Sequence, residues 1–161
     1  MHGLNKHAII ISVLVSLSFL CSGPAFGQGV TGSRNTVGAF AGFTSRHNTD
    51  FTFGGEYEYR LQTPWAVGAI VEHTPNVRFG RDYTLVLATA HYRPPSMSLV
   101  KFTAGAGVEF RENTGDKLRL RIGAGYDVFK EGKITVTPRV AVDFGQGSTS
   151  VVFGVSALYD L

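Results

Sequence analysis

From residue 36 onward the chain alternates between apolar and polar or small residues. Residues 119–128 set the pattern: Leu120, Ile122, Ala124, Tyr126 and Val128 are apolar, with Arg119, Arg121, Gly123, Gly125 and Asp127 between them. A period of two is that of a β-strand, whose successive side chains point to opposite faces. Eight such runs follow one another, at 36–44, 51–61, 65–73, 83–93, 99–111, 117–129, 133–144 and 149–160. The breaks contain SRHNTD, QTP, PNVRFGRD, PPSMS, ENTGD, KEG and GQGS, all rich in turn-forming residues. At KEG, a three-residue loop with Gly132 in the left-handed conformation would keep Asp127 and Thr135 on one face. The pattern predicts an all-β fold: eight antiparallel strands in an up-and-down meander, closed into a barrel so that no edge is left unpaired.

The two phases differ in chemistry. One collects Ala39, Ala41, Phe43, Phe53, Tyr57, Tyr59, Leu61, Trp65, Val67, Ala69 and Val71, and continues through Phe102, Val108, Phe110, Ile122, Val140, Phe144, Phe153, Val155 and Tyr159. The other collects Glu56, Glu58, Arg60, Glu72, Glu109, Arg111, Arg119, Arg121, Asp127, Arg139, Asp143 and Asp160, set among glycines. The fourth run, YTLVLATAHYR, is apolar on both phases, which leaves its orientation open. The charged phase carries arginine and no lysine; Lys101, Lys117, Lys130 and Lys133 fall at strand ends or in turns. Arginine suits enclosed, multiply hydrogen-bonded ion pairs. Pairing about ENTGD is expected to bring Glu109 opposite Arg119.

The aromatic residues decide which face is enclosed. Tyr57, Tyr59, Trp65, Tyr126 and Tyr159 fall toward one end of the strands, and Phe43, Phe51, Phe53, Phe110 and Phe144 toward the other. Two aromatic belts with small aliphatics between them are the girdles of a transmembrane barrel, and an arginine on the lipid side at mid-membrane would cost roughly 2–4 kcal/mol. The charges are therefore placed inside and the apolar phase against lipid. An eight-stranded barrel is just wide enough for its own side chains to fill. The eleven residues from Glu56 to Asp143 in that charged set are accordingly read as an ion-pair network that plugs the lumen. Pro138 removes a ladder donor and predicts a local bulge.

This pattern, with GGEYEYRL, GAGVEFRE and the final FGVSALYDL, resembles the small eight-stranded outer-membrane β-barrels of Gram-negative bacteria, the OmpA membrane domain and OmpX among them. The resemblance covers residues 28–161. It implies a place in the outer membrane, with lipid and lipopolysaccharide as surroundings and a last strand read by the barrel-insertion machinery. Phe153, Val155, Ala157 and Tyr159 keep the terminal alternation, although the last residue is Leu161 where such families end in an aromatic.

The start of the chain fits export. Lys6 precedes an apolar run, AIIISVLVSLSFL, and SGPAFG then places Ala25 and Gly27 at the small-residue positions of a cleavage site. That run is shorter than the roughly 20 residues that span a bilayer. The expectation is a signal peptide at 1–27, cleaved after Gly27, and one barrel domain at 28–161. Cys21, the single cysteine, would leave with the signal, so no disulfide staples the barrel. Without Lys6 the barrel carries 14 basic and 12 acidic residues, a balance unlike that of a nucleic-acid binder.

Candidate chemistry changes this picture little. A general base needs a nucleophile in reach, and the His-x-Ser pair of the lipid A deacylases is absent at His47, His73 and His91. His73 and His91 are read as interfacial residues at strand ends. HNTD and ENTGD lack the spacing of a calcium loop, so neither metal nor cofactor is expected. A soluble lipocalin-like ligand barrel would need its apolar face inward, and the Gly-x-Trp typical of its first strand is missing. The outer loops are short; Arg78 and Arg81 in PNVRFGRD could contact lipopolysaccharide phosphates. The reading is a monomeric, non-catalytic outer-membrane barrel with a role in envelope integrity.

Overall fold

A computed structural model describes residues 34–75, 82–111, 115–145 and 147–161. The expected leader at 1–27 and the loop arginines Arg78 and Arg81 lie outside the described residues. The strands are β1 (Asn35–Ser45), β2 (Thr49–Gln62), β3 (Trp65–Thr74), β4 (Tyr83–Tyr92), β5 (Val100–Arg111), β6 (Lys117–Tyr126), β7 (Phe129–Glu131), β8 (Ile134–Gly145) and β9 (Ser148–Asp160). Sequential neighbours other than β6 and β7 pair antiparallel, β9 returns to pair with β1, and β6 pairs with β8. The ring is thereby closed. β6 and β7 share one position in it, so the nine segments make an eight-stranded barrel, the fold that the alternation predicts.

The interruption between β6 and β7 has a cause in the sequence. Gly125 stands opposite Arg139 and Phe129 opposite Val136, so three residues, Tyr126, Asp127 and Val128, face two, Thr137 and Pro138. That is a bulge of one extra residue. The Val136 carbonyl accepts from the Val128 amide, which turns the nitrogen of Pro138 to the same side by alternation. The donor that proline lacks thus falls where the register slips.

Tight turns close both ends. Gly132 has φ +56° and, with Lys133, forms the two-residue hairpin between Glu131 and Ile134. A left-handed glycine at the first central position is the type II′ arrangement. The loop is therefore Gly132-Lys133, one residue later and shorter than KEG, and the strand runs on through Glu131. Thr63-Pro64, joined by a cis peptide, turns β2 into β3. Gly115 and Gly147, at φ +75° and +79°, lie in the turns leading into β6 and β9.

Pairing also settles the fourth strand. Leu85, Leu87, Thr89 and His91 are buried, while Ala88 and Ala90 face outward. Leu87 has room to point inward because it stands opposite Gly107, where a Cβ would come within 1.8 Å of the Val86 carbonyl oxygen, and Leu85 shares its phase. The interior thus holds two apolar clusters, Ile70–Leu85–Leu87 and Phe40–Ala141–Val152. Polarity is otherwise inverted. Arg119 is 0% exposed and Glu109 1%, whereas Leu118, Ile122 and Trp65 are 60%, 56% and 54% exposed. Outward rings gather at the ends: Phe43 meets Phe51 and Phe153 at 5.9 and 5.8 Å near the β1–β2 turn, and Trp65 meets Tyr92 at 4.7 Å near the opposite mouth.

Candidate functional site in the barrel lumen

The luminal side chains form three tiers. The first lies at the mouth away from Asn35 and Asp160. There Glu109 accepts from Arg46 Nη2 at 2.9 Å, from Arg119 Nε at 2.7 Å and from Arg111 Nε. Arg119 also donates to the carbonyl and hydroxyl of Ser148 at 2.8 and 3.1 Å. The guanidiniums of Arg46 and Arg111 lie 5.5 and 5.9 Å from the Tyr83 ring centre, a cation–π arrangement. The hydroxyls of Thr44, Thr52 and Thr74 run side by side across β1, β2 and β3 at 2.8 Å spacings.

The second tier is the densest. Arg121 donates to both oxygens of Glu72, at 2.8 and 2.7 Å, and to both oxygens of Asp143, at 2.6 and 2.8 Å. Arg139 joins Glu72 at 2.7 Å to Glu56 at 2.8 Å and lies 3.9 Å from the centre of the Phe40 ring. Two-pronged contacts suit the planar guanidinium and fix its orientation. Buried ions need such partners, because an uncompensated charge in a low-dielectric interior is costly.

The third tier lies at the mouth beside Asn35 and Asp160. Lys101 reaches Glu58 at 3.2 Å, Arg93 meets Asp127 at 2.6 Å, and Arg60 meets Asp160 at 3.1 Å. Asp127 also accepts from Thr137, at 2.7 Å. His91 is buried, with Nε2 2.9 Å from the Thr89 hydroxyl and Nδ1 3.0 Å from that of Thr103.

All eleven luminal residues singled out in the sequence have an ion-pair partner in these tiers. Several details differ from expectation. Lys101, assigned to a strand end, is buried among the luminal ions, so the interior does hold a lysine. His91 is luminal rather than interfacial. His73 does face outward, with Nδ1 3.1 Å from the Thr84 hydroxyl and its ring edge-on to Phe53. Glu109 stands opposite Lys117, not Arg119; the Glu109–Arg119 contact crosses a diagonal, Arg119 being opposite Gly107. Arg46, Arg93 and Tyr83 join the network without having been assigned to it. Their signal was parity: Arg46 continues the luminal even positions of β1, and Tyr83 and Arg93 share the odd phase of β4.

A closed ring of eight antiparallel strands, rings and aliphatics outside, ions inside, defines the class: the β-barrel of the transmembrane type. The comparisons agree. The chain is similar in fold to Ail of Yersinia pestis in a phospholipid bilayer nanodisc, with a TM-score of 0.56 and 14% identity over 79% of this chain and 98% of that one. It is similar likewise to Neisserial surface protein A, with a TM-score of 0.55 and 13% identity over 79% and 96% of the two chains. For the N-terminal β-barrel domain of Pseudomonas aeruginosa OprF the TM-score is 0.53, with 15% identity over 80% and 98%. No family model and no curated protein sequence matches the chain. The fold is that of the small outer-membrane barrels of OmpA and OmpX type.

Proposed function

We propose that this protein is an integral outer-membrane barrel, monomeric and non-catalytic, whose lumen is plugged by its own ion pairs and whose role is structural, in envelope integrity. The observation that carries the reading is the inverted polarity. Ile122 is 56% exposed while its neighbour Arg121 is 3% exposed and held by two carboxylates. In water this arrangement would bare a belt of apolar side chains; in a bilayer it satisfies both faces. Around this core the reading adds a leader cleaved after Gly27, recognition of β9 by the insertion machinery, and contact of Arg78 and Arg81 with lipopolysaccharide phosphates.

Spin labels placed singly at positions 121 and 122 test the inversion. The label at 122 is expected to be relaxed by membrane-dissolved oxygen and the label at 121 to be shielded from it. The reverse result would refute the membrane reading. Fractionation supplies a second check: the protein should stay with outer membranes through a carbonate wash and migrate differently on gels before and after boiling.

A further inference from the structure

At the mouth beside Asn35 and Asp160 the lumen is incompletely filled. A cavity of about 70 Å³ lies there, lined among others by Glu58, Arg60, Trp65, Ala66, His91 and Arg93. It exists because β3 presents small residues inward: Ala66 stands between Arg60 on β2 and His91 on β4. Gly68 follows, where a Cβ would come 3.2 Å from His91 Nε2. A single water needs only roughly 10–15 Å³ of such space, so the cavity admits a larger group.

Its donors are incompletely used. Arg93 gives Nη1 to Asp127, but its Nε is buried without a hydrogen-bond partner. Arg60 gives Nη2 to Asp160 and keeps a side chain 38% exposed. Glu58, the acid in the lining, is already engaged by Lys101. A buried unsatisfied donor carries a desolvation cost that an oxygen ligand removes, and guanidiniums are suited to tetrahedral oxyanions.

The geometry points to a phosphate-binding site in this cavity, with Arg60 and Arg93 as its cationic walls and Ala66 as its floor. Two sources present that chemistry at this mouth: the headgroup phosphate of a phospholipid, brought to the rim where Trp65 turns outward, and phosphate free in solution. The site uses cations of the third tier and lies apart from the densest one, built on Arg121, Glu72 and Asp143.

The test uses the isotope-labelled barrel in nonionic maltoside micelles, titrated with inorganic phosphate against sodium chloride of equal ionic strength. Saturable shifts are expected at the Ala66 and Arg93 amides and the Trp65 indole. Arg60→Gln should weaken the response about tenfold, the scale of one charge-assisted contact. Ala66→Leu, which fills the cavity and leaves every charge in place, should abolish it; retained heat-modifiable migration would show that both variants fold. The same titration in nanodiscs separates the sources. If phosphatidylglycerol discs already show the shifted positions and phosphate-free galactolipid discs do not, the ligand is the headgroup. If both disc types respond only to added phosphate, it is the free ion. No saturable shift in any of these media, or a response unchanged by Ala66→Leu, would overturn the site.

Discussion

At the scale of the residue, burial decides what an ion pair is worth. Arg121 is held by four hydrogen bonds between Glu72 and Asp143, all enclosed. Arg121→Ala would strand the buried Asp143 and leave Glu72 to Arg139 alone, and is expected to cost about 3–5 kcal/mol. Arg60, 38% exposed, makes one pair with Asp160, so Arg60→Gln should change stability by less than about 1 kcal/mol. Urea unfolding of vesicle-inserted protein, followed by tryptophan fluorescence, measures both; equal losses would contradict the tiered picture. On the outer face, Ile122→Arg should cost roughly 2–4 kcal/mol in the same assay. Alternation made Glu72, Arg121 and Asp143 legible as luminal from sequence, because charge and parity agree there. It missed Leu85 and Leu87, since an apolar residue on an apolar strand carries no sign of its face until the partner strand is known. Lys101 was misread for a related reason: its place near a strand end says nothing of where its ammonium turns.

At the scale of the element, glycines matter in two distinct ways. Gly132 has φ +56° and open space around the position of a Cβ. Gly132→Ala should therefore cost only the strain of a left-handed residue, about 1–2 kcal/mol, without changing the register. At Gly107 the conformation is ordinary, but an added Cβ would lie 1.8 Å from the Val86 oxygen and 2.8 Å from the Leu87 Cα. Gly107→Ala must push β4 and β5 apart; the expected outcome is loss of the compact, unboiled gel form, with Gly132→Ala retaining it. Strand limits were readable to within a few residues because turn residues bracket each run. Pro138 likewise announced a bulge. Hairpin register was harder to read, because moving the turn from KEG to Gly132-Lys133 changes the pairing without changing the alternation.

At the scale of the whole molecule, the interior is sealed by two materials. The Arg121 tier shares the lumen with the Ile70–Leu85–Leu87 and Phe40–Ala141–Val152 clusters, and the sequence showed only the first. Planar-bilayer recordings are expected to show no steady conductance at moderate voltage; a stable open level would mean that this packing gives way. The barrel architecture itself was visible in the alternation, since an inside-out pattern in eight runs leaves few other solutions. The arrangement of ions into tiers was not, because it depends on contacts between strands far apart in sequence. One such contact shapes how the molecule must be made. β9 closes against β1 from Thr36–Asp160 to Ser45–Val151, the two segments separated by most of the chain. Until that last seam is zipped, two rows of naked amides and carbonyls would face hydrocarbon. Assembly has no tolerable halfway house in lipid: a chain that stops before the thirteen residues of β9 should be cleared by proteases rather than linger as a seven-stranded remnant.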